Sequence, residues 1–340
     1  MSSSTVAQAI VSATQKYTIS VYFVVLIGGV IGNLFNIVIF SGLKIFRRNQ
    51  CAFYLIFGSI ADFLLLIIVL PFRITQFAFG YDPTLLSLAW CKIRFGVVSM
   101  LSLLSFTAVC FTAIDQYLST HYLPQVRQLS SLKMARRLVC IALITWSLHS
   151  IPICIFFEIQ PTLGCDVYNL GFSRYFSFVH FCVLSGILPI TTSGCSAMLA
   201  YLNVRRIIRR QVPLVQRKLD RQLTTMILTR VAFLLFMTSP FVIFRIYQLN
   251  QPATSSTDRV KVAVEKLVLS ITTSLFYTNS GGTFYVFLLV SNRFRQQVKR
   301  AVTKNIWKKI SDFVRHGNTI QNQVAPASDG IDIDLEPQSH

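Results

Sequence analysis

Apolar positions in this chain come in long unbroken runs, not in the alternation of a half-buried strand or the single stripe of a surface helix. Seven runs stand out: Tyr17–Phe40, Ala52–Ala78, Leu88–Thr112, Leu138–Phe157, Tyr175–Leu202, Leu223–Tyr247 and Ala263–Val290. Each meets or exceeds the ~20 residues a helix needs to cross the hydrocarbon core of a bilayer. In lipid the backbone must satisfy its own hydrogen bonds, which admits only helices and closed barrels. A barrel strand needs about ten residues of alternating character, so the runs exclude a barrel. The pattern therefore predicts an all-α membrane protein, a bundle of seven transmembrane helices.

The polar stretches divide the chain further. After the seventh run, Asn292–Lys309 has Phe294, Val298, Ala301, Val302 and Ile306 on one stripe, with Arg295, Lys299 and Lys308 elsewhere. This predicts a short amphipathic eighth helix suited to an anionic membrane surface. Residues 311–340 end in Asp329, Asp332, Asp334 and Glu336 and read as a disordered cytoplasmic tail. Residues 1–16 are polar and lack a basic leader before a short apolar core, so no cleaved signal peptide is expected and span one serves as its own insertion signal. The predicted organisation is an extracellular N-terminus at 1–16, a membrane domain at 17–310 and a tail at 311–340.

Composition sharpens the picture. The chain is 53% hydrophobic and 13% charged, against about 25% charged for a soluble domain. Its net charge of +19 suggests nucleic acid, but the basic residues are confined to short segments between apolar runs. They follow span one (Lys44, Arg47, Arg48), span three (Arg127, Lys133, Arg136, Arg137), span five (Arg205 to Arg221) and span seven (Arg293 to Arg315). The other connections are poorer and mixed. The positive-inside rule then places the N-terminus outside and the C-terminus in the cytoplasm.

Polar residues inside the runs are the candidate chemistry. Asp62 lies mid-span, where an ionisable group costs at least ~2.5 kcal/mol and is functional by default. Asn33, Ser105, Asn279 and Ser280 lie at matching depth. Two readings stay open: a sodium pocket, since oxygen ligands suit a hard cation, or a protonated Asp62 in a hydrogen-bonded network. Arg73 and Arg245, near the outer ends of spans two and six, either snorkel or line a cavity where they pair with an anionic ligand group. Arg230, in the inner third of span six, either snorkels inward or reaches a partner such as Asp115. Pro71, Pro152, Pro189 and Pro240 each predict a kink. Trp146 reads as a packing residue and Trp90 as an interfacial aromatic. Of the eight cysteines, six read as small buried hydrophobes. Cys91 and Cys165 differ, because both face an oxidising compartment. A bridge between them closes about 75 residues, worth roughly 4–5 kcal/mol on the chain-entropy model; the alternative is two free thiols. No nucleophile–base pair or metal-ligand cluster faces an aqueous site, so no enzyme is expected. The absence of internal repeats argues against a transporter.

Taken in order, Gly32-Asn33, Ala61-Asp62, Cys91, Asp115-Gln116-Tyr117, Trp146, Cys165, Pro189, Pro240 and Phe294-Arg295 resemble the landmarks of the rhodopsin-like (class A) G protein-coupled receptors, over about Tyr17–Trp307. The segments LAYLNVRR (residues 199–206), Gln222-Leu223-Thr224 and Phe284-Tyr285 are similar to invertebrate FMRFamide-type neuropeptide receptors. The resemblance implies a multi-pass plasma-membrane receptor whose partners are an extracellular peptide ligand, a heterotrimeric G protein and membrane lipid, with no nucleic acid. It implies no cofactor beyond sodium at Asp62. It also implies a switch at Asp115, Gln116, Tyr117 and Asp220, and a ligand cavity at Arg73, Val98, Thr238 and Arg245. Val98 stands where amine receptors of the family carry aspartate, which disfavours an amine. Lys266, the lysine nearest the centre of span seven, lies at its outer end, which disfavours retinal.

Departures from the family pattern bear on coupling. The triplet usually carries arginine where Gln116 stands. Thr238 replaces the tryptophan before the span-six proline, and Ala197 replaces a tyrosine in span five. Thr283-Phe284-Tyr285-Val286-Phe287 replaces Asn-Pro-x-x-Tyr in span seven. Gln116 cannot form an ion pair with Asp115 or Asp220. It can hydrogen-bond both, at a net ~0.5–1.5 kcal/mol each. Weak or non-standard coupling is therefore expected, and the alternative function is a non-signalling decoy or scaffold of the same fold.

Overall fold

The computed structural model describes residues 3–43, 46, 49–80, 85, 87–160, 164–207, 214–250, 259–300 and 303. It contains α1 (Ser3–Gly42), α2 (Gln50–Phe79), α3 (Leu88–Thr120), α4 (Pro124–Leu129), α5 (Leu132–Phe156), a hairpin of β1 (Phe157–Gln160) and β2 (Gly164–Val167), α6 (Leu170–Tyr175), a π-helical stretch at Phe176–Ile187, α7 (Leu188–Ile207), α8 (Leu214–Asn250) and α9 (Arg259–Val290). The predicted tail, residues 311–340, lies outside the described residues.

Local chemistry sets several boundaries. Asn49, Ser131 and Asn169 each accept a backbone N–H with the side chain at the start of α2, α5 and α6, satisfying a donor the helix leaves open. Gly80 ends α2 in the left-handed region at φ 66°, where a Cβ would be strained. α6, the π-helical stretch and α7 run on without a break and together form the fifth span. Pro189, which cannot donate to the helical ladder, follows directly on the π-helical stretch.

Six of these helices are long and apolar enough to cross a membrane. The seventh, α9, has the length, at 32 residues, but is more polar than the hydrophobic run suggested. Ser270, Thr272, Thr273, Ser274, Asn279, Ser280 and Thr283 are all buried in it. These groups are solvated by protein and not by lipid, so α9 completes the seven-helix bundle without being uniformly apolar. The apolar outer surface carries Val24, Phe236, Ile243 and Leu289, each more than two-thirds exposed, as lipid contact requires. The N-terminal segment departs from the sequence expectation in one respect: α1 begins at Ser3, far ahead of Tyr17.

α3 is the central helix, packed against α2, α5, α7 and α8, while α1 sits between α2 and α9. The buried core runs through Leu65, Leu66, Leu70, Leu103, Leu104 and Leu234. Trp146 joins α5 to α3 by donating from Nε1 to Thr107 Oγ1 at 2.8 Å. α1 and α9 meet at glycines: a Cβ on Gly281 would lie 3.1 Å from Gly29 Cα, and one on Gly29 would lie 2.9 Å from Gly281 Cα. Small residues let membrane helices meet backbone to backbone. Gly281→Val is therefore expected to destabilise by about 1–3 kcal/mol through overpacking. Thermal unfolding of the purified protein checks this, and an unchanged midpoint would show that the helices separate without cost.

Residues 292–300 are helical, in line with the first half of the predicted eighth helix. The rest of that prediction lies outside the described residues apart from Thr303. Phe294 at its start is fully buried against Phe40 and Phe287, with ring centroids 5.8 Å away in both cases.

Candidate functional site

Three regions follow one another along the bundle. The first lies at the end marked by the disulfide. Cys91 of α3 is bonded to Cys165 of β2, which holds the hairpin on the bundle; Phe157 and Ile153 pack in the same buried cluster. Beside it is a cavity of about 160 Å³. Arg73 of α2, Arg94 of α3 and Arg245 of α8 all line it, with Val98, Ser99, Ser102, His180, Tyr22 and Tyr277 among the other walls. None of its lining residues is a carboxylate, among the described residues. Arg94 is 5% exposed. Arg94 sits 5.7 Å from the centroid of the Phe95 ring, and Arg245 sits 5.3 Å from that of Phe181. Asp166 of the hairpin is within electrostatic reach of Arg245.

Arg73, Val98 and Arg245 are therefore brought together as the sequence suggested, and they line a cavity. Thr238 is not: it is 1% exposed and absent from the lining. Sequence reasoning singled out neither Arg94 nor His180. The π-helical stretch turns His180 inward, where Ser99 Oγ lies 3.3 Å from its ring. His180 stacks on His149 with ring centroids 5.5 Å apart, and Tyr175 Oη lies 3.2 Å from His149 Nδ1. An ordinary helical period does not place these groups on one line.

The second region is the buried polar network at mid-bundle. Ser105 Oγ donates to Asp62 Oδ1 at 2.7 Å, and the Ser280 side chain faces the same carboxylate. Asn33 Nδ2 donates to the carbonyls of Gly29 and Ser280 at 2.9 and 3.0 Å. Arg230 Nη1 donates to Asn279 Oδ1 at 2.6 Å. All five residues singled out for this site thus meet in one network. Arg230 neither snorkels nor reaches Asp115: it is 3% exposed and turned towards Asn279 and Asp62.

The third region is the far end of α3. Asp115 Oδ1 accepts from Ser130 Oγ at 2.7 Å, and its Oδ2 lies 3.2 Å from Cys51 Sγ. Gln116 Nε2 donates to Thr224 Oγ1 of α8 at 2.8 Å, while its Oε1 lies 3.3 Å from the same Cys51 sulfur. The single thiol proton of Cys51 can serve either oxygen. Tyr117 turns aside and packs edge-on against His121. The side chain of Asp220 lies outside the described residues. Nearby, Phe287 stands where the family resemblance implied a tyrosine, fully buried among Phe40 and Phe294 with no hydroxyl to offer.

A seven-helix bundle with this disulfide, this Asp62 network and this α3 terminus defines the class of protein. Residues 32–281 match the family described as 7 transmembrane receptor (rhodopsin family), and the chain belongs to that family. Among curated proteins it is similar to the probable G-protein coupled receptor 34 of Pan troglodytes, at 31% identity over 120 residues, 35% of this chain and 31% of that protein. The mouse (Mus musculus) protein of the same name is 29% identical over the same length. The chain thus matches these relatives over about a third of their length.

Proposed function

We propose that this chain is a plasma-membrane receptor that relays the binding of an extracellular ligand to a heterotrimeric G protein, with the disulfide end outside and the C-terminus in the cytoplasm. Family membership and the placement of the basic residues support that reading. The observation that carries the ligand class is the convergence of Arg73, Arg94 and Arg245 on one cavity with no carboxylate among its described lining residues. Three cations lining one cavity favour an anionic group on the ligand by electrostatic complementarity. The ligand is an acidic peptide, docking a carboxylate on the arginines and apolar side chains on the Phe181, Phe241 and Phe276 walls. The narrower resemblance pointed to FMRFamide-type peptides, which carry an arginine and an amidated end. The charge of this cavity disfavours them.

The test uses peptides matched in length and hydrophobicity but differing in charge, read by thermal shift of the purified receptor. Acidic members are expected to stabilise it, and Arg94→Glu or Arg245→Glu to weaken them by about ten- to a hundredfold, as losing a charge-assisted bond of ~1.5–3 kcal/mol implies. Tighter binding of cationic peptides would refute the ligand class.

A second reading is a decoy or scaffold that binds without signalling. The neutral Gln116–Thr224 bond favours it, because no cation stands at that position to meet a G protein. Nucleotide exchange on a panel of G proteins, measured with a ligand that passes the thermal-shift test, separates the two.

A further inference from the structure

The network around Asp62 contains a cation of its own. Arg230 projects from α8 between α2 and α9, and Asp62, Ser105, Asn279, Ser280 and Arg230 are each at most 3% exposed. The oxygens that a hard cation would need are already engaged. Asn279 Oδ1 takes the Arg230 guanidinium at 2.6 Å, and Asp62 takes the Ser105 hydroxyl at 2.7 Å with the Ser280 side chain facing it. Arg230 and Asp62 line one small cavity within the same network, so the guanidinium charge acts on the carboxylate through space. The adjoining cavity, lined by both Asp62 and Arg230, is about 20 Å³, room for about one water.

Charge decides the matter more than space. An ionised Asp62 and Arg230 balance each other. A further cation among them would be an uncompensated charge in a low-dielectric interior, repelled at short range by the guanidinium. The residues present therefore do not fit a mobile sodium ion, although the oxygen set alone suggests one.

We propose that Arg230 is the tethered counter-ion of Asp62, standing in for a mobile cation and making this receptor indifferent to sodium. The counter-charge belongs to α8 and is anchored on α9. Its bond to Asn279 Oδ1 holds it in the network, so displacement of α8 carries the counter-charge away from Asp62. A receptor with a soluble ion loses its counter-charge by diffusion; here the loss is coupled to helix displacement.

The test is thermal unfolding of the full chain in lipid nanodiscs, in sodium chloride against choline chloride at equal ionic strength, so that general screening cancels. Neither ligand nor coupling is needed. The wild-type midpoint is expected to be the same in both salts. Arg230→Leu is expected to acquire a saturable, sodium-specific rise of about 3 °C or more, and the Asp62→Asn/Arg230→Leu double variant to lose it. A sodium-specific rise in wild type that Asp62→Asn abolishes overturns the proposal, and so does an Arg230→Leu protein that ignores sodium. Should Arg230→Leu fail to fold, Arg230→Lys and Asp62→Asn decide. The lysine variant is expected to stay blind to sodium, and Asp62→Asn to lower the midpoint equally in both salts. A lysine variant that responds, or a loss confined to sodium, overturns it.

Discussion

Cys165→Ala is expected to lower stability by roughly 4–5 kcal/mol, the chain-entropy value for a loop of this length, and to unfold the protein roughly 10 °C earlier. The bridge to Cys91 closes a loop across 74 residues of sequence. It also fixes the hairpin whose strands pair Phe157 with Val167 and Ile159 with Cys165. Phe95 and Phe176, which pack on the cluster that includes the hairpin, also line the cavity, so the cavity is expected to lose ligand affinity along with stability. Cys91→Ala and the double variant should match Cys165→Ala, since each removes the same bond. Unfolding midpoints of the three proteins check this. A single variant that melts with wild type would mean that the packing of Phe157 and Phe172 on Cys91 holds the hairpin without the bond.

Gln116→Arg is expected to raise G-protein nucleotide exchange about tenfold, the effect of ~1.4 kcal/mol of new differential contact. In the wild type, Gln116 forms a neutral link from α3 to Thr224 of α8 and to Cys51 of α2. Asp115 meanwhile is served by the neutral donors Ser130 and Cys51. An arginine at 116 would restore the cation that the family places here, next to a carboxylate held by neutral donors alone among the bonds described. Exchange rates in reconstituted vesicles measure the change. Equal and robust exchange from both proteins would remove the case for weakened coupling. Unchanged weak exchange in Gln116→Arg would move the defect to Thr238 and Phe287.

Much of this site was legible in the sequence, for identifiable reasons. Long apolar runs have one stable solution in a bilayer, so the helices were readable from residue type alone. Asp62, Asn33, Ser105, Asn279 and Ser280 stood out because polar groups in hydrocarbon must find one another, and they do. Cys91 and Cys165 stood out by compartment. Arg94 did not, because a cation at a helix end usually snorkels, and only its 5% exposure separates it from that case. His180 was hidden by the π-helical stretch, whose wider turn shifts every later side chain around the axis. Thr238 was assigned to the ligand cavity by register, yet it is buried away from the lining. α9 was read as apolar, but it buries its hydroxyls and amides against the other helices.

Hydrophobic run length and charge placement by themselves determined the membrane class, the number of helices and the expected orientation, because the cost of exposing backbone or burying charge in lipid is set by residue type. Partnership was decided only by the tertiary structure. Arg230 had two directions open to it, and the sequence offered Asp115 as its partner. Packing of α8 against α9 turned it instead to Asn279 and Asp62. A buried guanidinium goes where its donors are satisfied, and those acceptors lie on helices remote in sequence.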